Sequence, residues 1–308
     1  MKLLLVPDLH GRKPLIPKED FDAIVCIGDI CSDKQRRKLE KEWMVFLEKN
    51  PTKTLSDDEY IVKKIGKRKA SNLDKDSLDK GNKMLKFLDS FGKPIFFVPG
   101  NWDQSYGKTK IKNMDENIFS YLYTYYDFWL GDKLNPKLVK GVKNLVDCQY
   151  KIHEFNGFNF IGYGLSSNTE KLSFRKKTKD ISRIKKWKLN RQSQKIISKL
   201  ENAYNNRNNN IPTIFLTHNV PNGTKIDVLI NKKSKLNGKH FGSTVAREFV
   251  LKHKPLLCIG GHMHEHFGKV KLGKTTCINV GFGDKKATII DLHDGKIKKI
   301  KFIGKTNV

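Results

Sequence analysis

Five short apolar runs, each broken off by a polar turn, constrain this chain more than any other feature. Lys2–Val6 runs into PDLHG, residues 23–27 into GDICSD, 95–98 into PGNWD, 213–216 into THN and 256–259 into GGHMHEH. Runs this short and this continuously apolar read as strands covered on both faces, the situation of a largely parallel sheet. Further strands are expected at 159–163, 276–280, 287–291 and Lys296–Ile303. The last two flank Asp294-Gly295, a hairpin signal because both residues accept positive φ. Apolar residues at helical spacing predict helices over 35–49, 78–91, 182–204 and 243–253, the last with Ser243 or Thr244 as its N-cap. Strands alternating with helices in the first and last thirds predict an α/β fold.

The length, 308 residues, suits one large α/β domain spanning 1–308, and 38% hydrophobic residues can supply its core. From Asp29 to Asn101 the chain takes 72 positions (101 − 29), where a simple βαβ unit needs about 30 residues. Basic, partly helical inserts are therefore expected near 33–80, 103–146 and 166–210. The aromatic cluster YLYTYYDFWL at 121–130 is expected to pack an accessory helix. Five cysteines, an odd number without a CxxC pair, fit reduced core thiols rather than a zinc-thiolate site. No run approaches the roughly 20 apolar residues of a membrane span. The apolar start, Leu3 to Val6, is shorter than the roughly seven residues of a signal-peptide core. A cytoplasmic protein is the expectation. Sixty basic against 32 acidic residues give a net charge of +28, which attracts polyanions without naming one. Nucleic acid is thus a possible partner beside a phosphorylated small molecule or nucleotide.

The polar residues closing the apolar runs are Asp8, His10, Asp29, Asn101, His218, His262 and His264. In open α/β sheets, functional groups gather beyond the carboxyl ends of the strands. Two carboxylates, one amide and four imidazoles form a mixed oxygen and nitrogen donor set. Such a set suits Mn, Fe, Zn, Co or Ni better than Mg or Ca, with Mn favoured here. Seven donors exceed what one ion with an open position uses. Two divalent ions sharing a carboxylate would use them all.

In order, the turns read Asp8-Leu9-His10, Gly28-Asp29, Gly100-Asn101, Thr217-His218 and Gly261-His262-Met263-His264. This series resembles the calcineurin-like metallophosphoesterase superfamily over residues 3 to about 283. The stretches THNVPNGTKID, HFGSTVAREF and GGHMHEHFGKV are similar to its Icc-related, archaeal-type members. The resemblance implies a four-layer α/β/β/α sandwich of two mixed β-sheets flanked by helices. It implies that Asp8, His10 and His264 hold one metal, that Asn101, His218 and His262 hold a second, and that Asp29 bridges them. It further implies a metal-hydroxide mechanism hydrolysing a phosphomonoester or small phosphodiester, with Asp29, Asn101 and His218 central to catalysis. A nuclease with the same dinuclear site is the alternative; a non-catalytic scaffold would have no use for seven converging ligands.

Two departures from the family pattern stand out. Many members carry a histidine after the Gly-Asn that helps the leaving group depart, and here that residue is Trp102. The acidic or glycine residue often found three places after the bridging aspartate is Ser32, with Asp33 one place later. Arg12, Asn219, Asn222 and His266 are candidate substrate contacts. Asp33 and Asp103 are candidates to orient the ligands. Gly100, Gly260 and Gly261 are expected where backbone must approach the metals closely. His153, His240, His253 and His293 read as structural or surface residues.

Overall fold

The computed structural model describes residues 1–50, 55–103, 137–166, 170, 183–232, 234 and 236–305. The aromatic cluster at 121–130, most of the 103–146 insert and much of the start of the 166–210 insert lie outside these residues.

Two six-stranded mixed sheets form the centre. The first contains β1 (Lys2–Val6), β2 (Ala23–Cys26), β3 (Ile95–Phe97), β4 (Leu145–Asp147), β11 (Ala287–His293) and β12 (Lys296–Ile303), in the order β12-β11-β1-β2-β3-β4. The second contains β5 (His153–Phe155), β6 (Phe158–Tyr163), β7 (Thr213–Asn219), β8 (Leu257–Gly261), β9 (Gly268–Leu272) and β10 (Thr275–Asn279), in the order β5-β6-β7-β8-β10-β9. The continuous apolar runs became the parallel, doubly covered strands: β1, β2 and β3 pair in parallel, as do β7 and β8. The hairpin also formed, with β11 antiparallel to β12 across Asp294 and Gly295 at φ 48 and 71.

Strand alternation divides the apolar side chains between two faces. Leu3 and Leu5 of β1 join Phe96, Phe160, Leu216 and Ile259 in a core contributed by both sheets. Phe96 and Phe160 stack there at 3.9 Å. Leu4 and Val6 face the other way, toward Leu78, Leu85 and Leu88 of helix α3 (Lys67–Asp89). Beyond the second sheet, Phe215 and Cys258 pack with Ile196 and Leu200 of α4 (Arg183–Asn205) and with Phe249 and Val250 of α5 (Thr244–His253). The layers are therefore α/β/β/α. Each fully buried leucine of β1 contributes roughly 2 kcal/mol from burial. All five cysteines are free and buried. Among the described residues, no helix is long and apolar enough to cross a membrane.

The chain between β2 and β3 is helical: α1 (Lys34–Lys49), α2 (Asp57–Ile65) and α3 follow one another. Helix α3 begins eleven residues before the expected start at 78. Its buried positions begin at Ser77, so the exposed first half carries no apolar periodicity to read. Ser56 closes a full capping box on α2 with Glu59, and Arg36 of α1 bridges Asp57, Asp58 and Asp74. Strands β4, β5 and β9 were not expected from the sequence. None presents a continuous apolar run, and each lies at or beside a sheet edge, where half-exposed strands need no such run.

Candidate metal centre

The turns after β1, β2, β3 and β8, together with the end of β7, meet where the two sheets bring their carboxyl ends together. Asp8 is tied across the sheets: its N–H donates to Gly281 O at 3.2 Å and its carbonyl accepts from Gly283 N at 3.0 Å. His10 N donates to Asp29 O at 2.8 Å, fixing the first turn on the second. His262 N donates to Asp8 Oδ2 at 2.7 Å, fixing the β8 turn on the β1 turn. Trp102 N donates to Asp29 Oδ1 at 3.0 Å.

Two groups of possible ligand atoms result. Asp8, His10, Asp29 and His264 form one; Asp29, His218 and His262 form the other. Within each group all ligand atoms lie within 4.8 Å of one another, and Asp29 alone belongs to both. Asn101 joins the second group, its Oδ1 standing 2.8 Å from His218 Nε2. In the first group, His10 Nε2 and His264 Nε2 face each other at 3.3 Å, with Asp29 Oδ2 3.4 Å from His10 and Asp8 Oδ2 3.3 Å from His264. The structure thus brings together all seven residues that close the apolar runs.

Backbone strain marks the same place. His10, Asp29 and His262 adopt φ of 47, 52 and 64. Left-handed backbone at non-glycine residues costs energy and persists where the surroundings fix it. No sequence signal announces this, because the residues are not glycine. The glycines beside them act through space instead. A Cβ on Gly100 would lie 2.1 Å from Asp29 Oδ1, and one on Gly261 would lie 2.5 Å from Asp8 Oδ1. Gly260, expected to do the same, instead faces Thr217 and Val220.

The electrostatics call for positive charge. Burial disfavours charge on His218, yet Asp29 and Asp8 hold its pKa up to about 9. Its Nδ1 stands 2.8 Å from the Ile27 carbonyl, so Nδ1 donates there and Nε2 is directed at Asn101 and Asp29. A cation beside Nε2 would satisfy that nitrogen in the neutral ring. Burial likewise opposes charge on His10, but Asp33, Asp29 and Asp8 raise its pKa. Asp29 is fully buried and nonetheless held far below the usual carboxylate range by His218, His10 and His262. Asp8 Oδ1 is buried and has no hydrogen-bond partner among the described residues. Facing imidazole nitrogens, an orphaned carboxylate oxygen and a mixed oxygen and nitrogen donor set all suit divalent cations, which would replace the protons.

The expected supporting residues divide in two. Asp33 Oδ2 lies 3.0 Å from His10 Nδ1 and pairs with Arg37 at 2.6 Å. Asp103 touches no histidine ring nitrogen within hydrogen-bond distance. Its Oδ1 accepts from Ile30 N and Cys31 N at 2.9 and 3.0 Å, and its Oδ2 accepts from Gly100 N at 2.8 Å. It staples the Asp29 turn to the Asn101 turn, and burial together with the nearby Asp29 charge raises its pKa.

The candidate substrate contacts are engaged with the protein itself. The Arg12 guanidinium lies 4.6 Å from the centre of the Phe282 ring and donates to Leu9 O at 3.3 Å. Phe282 in turn stacks on His264 at 4.2 Å. Asn219 Nδ2 donates to Phe241 O at 2.9 Å, and Asn222 Nδ2 to Asp227 Oδ2 at 3.4 Å. His266 Nε2 donates to Val228 O at 2.7 Å. Asn219, Asn222 and His266 therefore pin the segment between β7 and α5. His153, His240, His253 and His293 bond Asp147 O, Asp227, Glu201 and Asp294, outside the two ligand groups.

Residues 1–266 match the calcineurin-like phosphoesterase family. No curated protein matches the sequence significantly. A solved structure at 16% identity superposes with a TM-score of 0.55, covering 98% of this chain and 99% of its own. A dimetal phosphatase from Danio rerio is similar at 12% identity and TM-score 0.47, over 99% of this chain and 96% of that one. The phosphopantetheinyl hydrolase from Mycobacterium tuberculosis is similar at 12% identity and TM-score 0.46, over 92% and 89%. At 16% identity the first likeness speaks to fold alone. The family match extends over all seven converging residues, and the chain belongs to the calcineurin-like phosphoesterases, hydrolases that act on phosphoester bonds.

Proposed function

We propose that the chain hydrolyses a phosphomonoester or small phosphodiester with two divalent ions, held by Asp8, His10 and His264 on one side, by Asn101, His218 and His262 on the other, and by Asp29 between. The observation that carries this reading is the pair of ligand groups that share Asp29. Bound there, two divalent ions supply Lewis acidity toward the phosphoryl oxygens and acidify water near neutral pH.

The protein's own residues do the rest. Asp29 is held by Trp102 N, and His218 by the Ile27 carbonyl, so both present fixed atoms inward. Asp8 is oriented by His262 N. Such preorganisation lowers the cost of gathering charge around a transferring phosphoryl group. Trp102 has an indole N–H that does not act as an acid at neutral pH, so the leaving group gains no proton from that position.

The test is an assay of chelator-treated protein against p-nitrophenyl phosphate and bis-p-nitrophenyl phosphate, with and without added Mn²⁺. Activity should vanish on chelation and return with Mn²⁺. Asp29→Asn and His218→Ala should each lower kcat/KM at least about a hundredfold, more than the loss of a residue behind the ligands costs. Activity unchanged in both variants would defeat the two-metal reading.

A further inference from the structure

A cleft of about 340 Å³ opens directly on the candidate metal centre, with Asp29, His262 and His264 among its lining residues. That space equals roughly ten waters, well beyond what a bare phosphate fills. Away from the ligand residues its lining is mixed, with Trp102, Leu229, Leu236, Phe241 and Met263 forming an apolar part beside charged Arg37 and Glu265. Leu236 is 43% exposed. Apolar side chains left open beside a polar centre mark a binding wall.

The wall is built, not incidental. The segment bearing Leu229, Leu236 and Phe241 is pinned beside the first and last of these. Asn219 Nδ2 holds the Phe241 carbonyl and His266 Nε2 holds the Val228 carbonyl. Asp227, fully buried, accepts from Gly223 N, Thr224 N and Gly242 N at 3.0, 2.7 and 3.0 Å. The polar residues expected to meet substrate therefore support the surface that would.

We propose that this cleft is a subsite for a planar aromatic ester group, so that the enzyme prefers aryl phosphoesters to phosphates of small polar alcohols. The proposal rests on the phosphoesterase reading above. Two independent features support the choice. Flat rings gain from contact with Trp and Phe beyond simple burial. The Trp102 indole, next to the ligand Asn101, donates no proton at neutral pH, and an aryl oxide departs without one far more readily than an alkoxide. Water's oxygen bonds to phosphorus and its proton passes to solvent. The P–O(aryl) bond breaks with its electron pair on the aryl oxygen, which solvent then protonates.

The experiment compares 2-naphthyl, phenyl and glycerol phosphates on Mn²⁺-loaded protein, the first two having leaving groups of similar acidity. Binding of 2-naphthylmethylphosphonate and methylphosphonate, which cannot be hydrolysed, is measured in parallel by calorimetry. The naphthyl compounds should be favoured at least about tenfold in kcat/KM and in Kd, the size of discrimination apolar pockets give. The double variant Leu229→Ser, Leu236→Ser, at two partly exposed positions, should keep the Tm of the unaltered protein within a few degrees and lose most of that preference. Equal values for the naphthyl compounds and their smaller partners, or a preference unchanged in the double variant, would overturn the subsite. Absence of turnover on every phosphoester would instead defeat the phosphoesterase reading, and the phosphonate affinities would still decide the subsite.

Discussion

At the scale of single residues, Asp103 shows how much of the site depends on side chains that touch no substrate. Its carboxylate holds three buried N–H groups, two on the turn of Asp29 and one on the turn of Asn101. Hydrogen bonds to a charged group contribute about 1.5–3 kcal/mol each, and orphaning buried donors costs further. Asp103→Ala should therefore lower stability by at least about 3 kcal/mol, read as a shift in the urea midpoint, and should weaken Mn²⁺ binding as the two turns separate. Asp103→Asn, which keeps an acceptor, should lose less. An alanine variant with unchanged midpoint and metal affinity would show that the turns are held some other way. The sequence offered Asp103 as a residue to orient the ligands, whereas two of the three N–H groups it meets lie on a turn about 70 residues earlier. The seven converging residues were legible because each directly follows an apolar run. The left-handed backbone of His10, Asp29 and His262 was not, because it arises where two sheets press their turns together.

At the scale of elements, caps and ties decide where the helices end. Ser243 is the N-cap of α5, its Oγ accepting from Ala246 N at 3.0 Å and donating to the buried Glu170 at 2.6 Å. Thr244 N donates to the same carboxylate at 2.7 Å. Ser243→Ala should cost about 1–2 kcal/mol, measured as a fall in Tm; no change would mean that Glu170 alone holds the helix start. Helix α3 ends on Asp89, where partial burial would raise the carboxyl pKa but hydrogen bonds from Lys143 N and Asn144 lower it. A carboxyl lowered in the folded state stabilises above its unfolded pKa, and that contribution disappears as pH falls through the folded value. Asp89→Asn should therefore reduce stability at neutral pH and flatten its decline below about pH 4, as followed by urea midpoints across pH. Elements with continuous apolar runs were placed from sequence to within a few residues. Strands β4, β5 and β9 escaped, since what holds them is pairing to a neighbour rather than their own composition.

At the scale of the whole molecule, the charge of +28 sets the field in which substrate arrives. Lysines lie along the exposed face of β12, at 296, 298, 299 and 301, and along β9, at 269 and 271. Lysine on edge strands also discourages pairing with other chains. A field of this sign speeds the approach of anions and is screened by salt. For an aryl phosphate, kcat/KM should fall as NaCl rises from about 0.05 to 0.5 M, while Tm moves little. A salt-independent kcat/KM would assign the charge to solubility alone. The central claim, two ions sharing Asp29, is tested most directly by counting metal. After chelation and reloading with Mn²⁺, elemental analysis should find two ions per chain in the unaltered protein and fewer than two in Asp29→Asn. Two ions retained by that variant, or none bound by the unaltered chain, would contradict it.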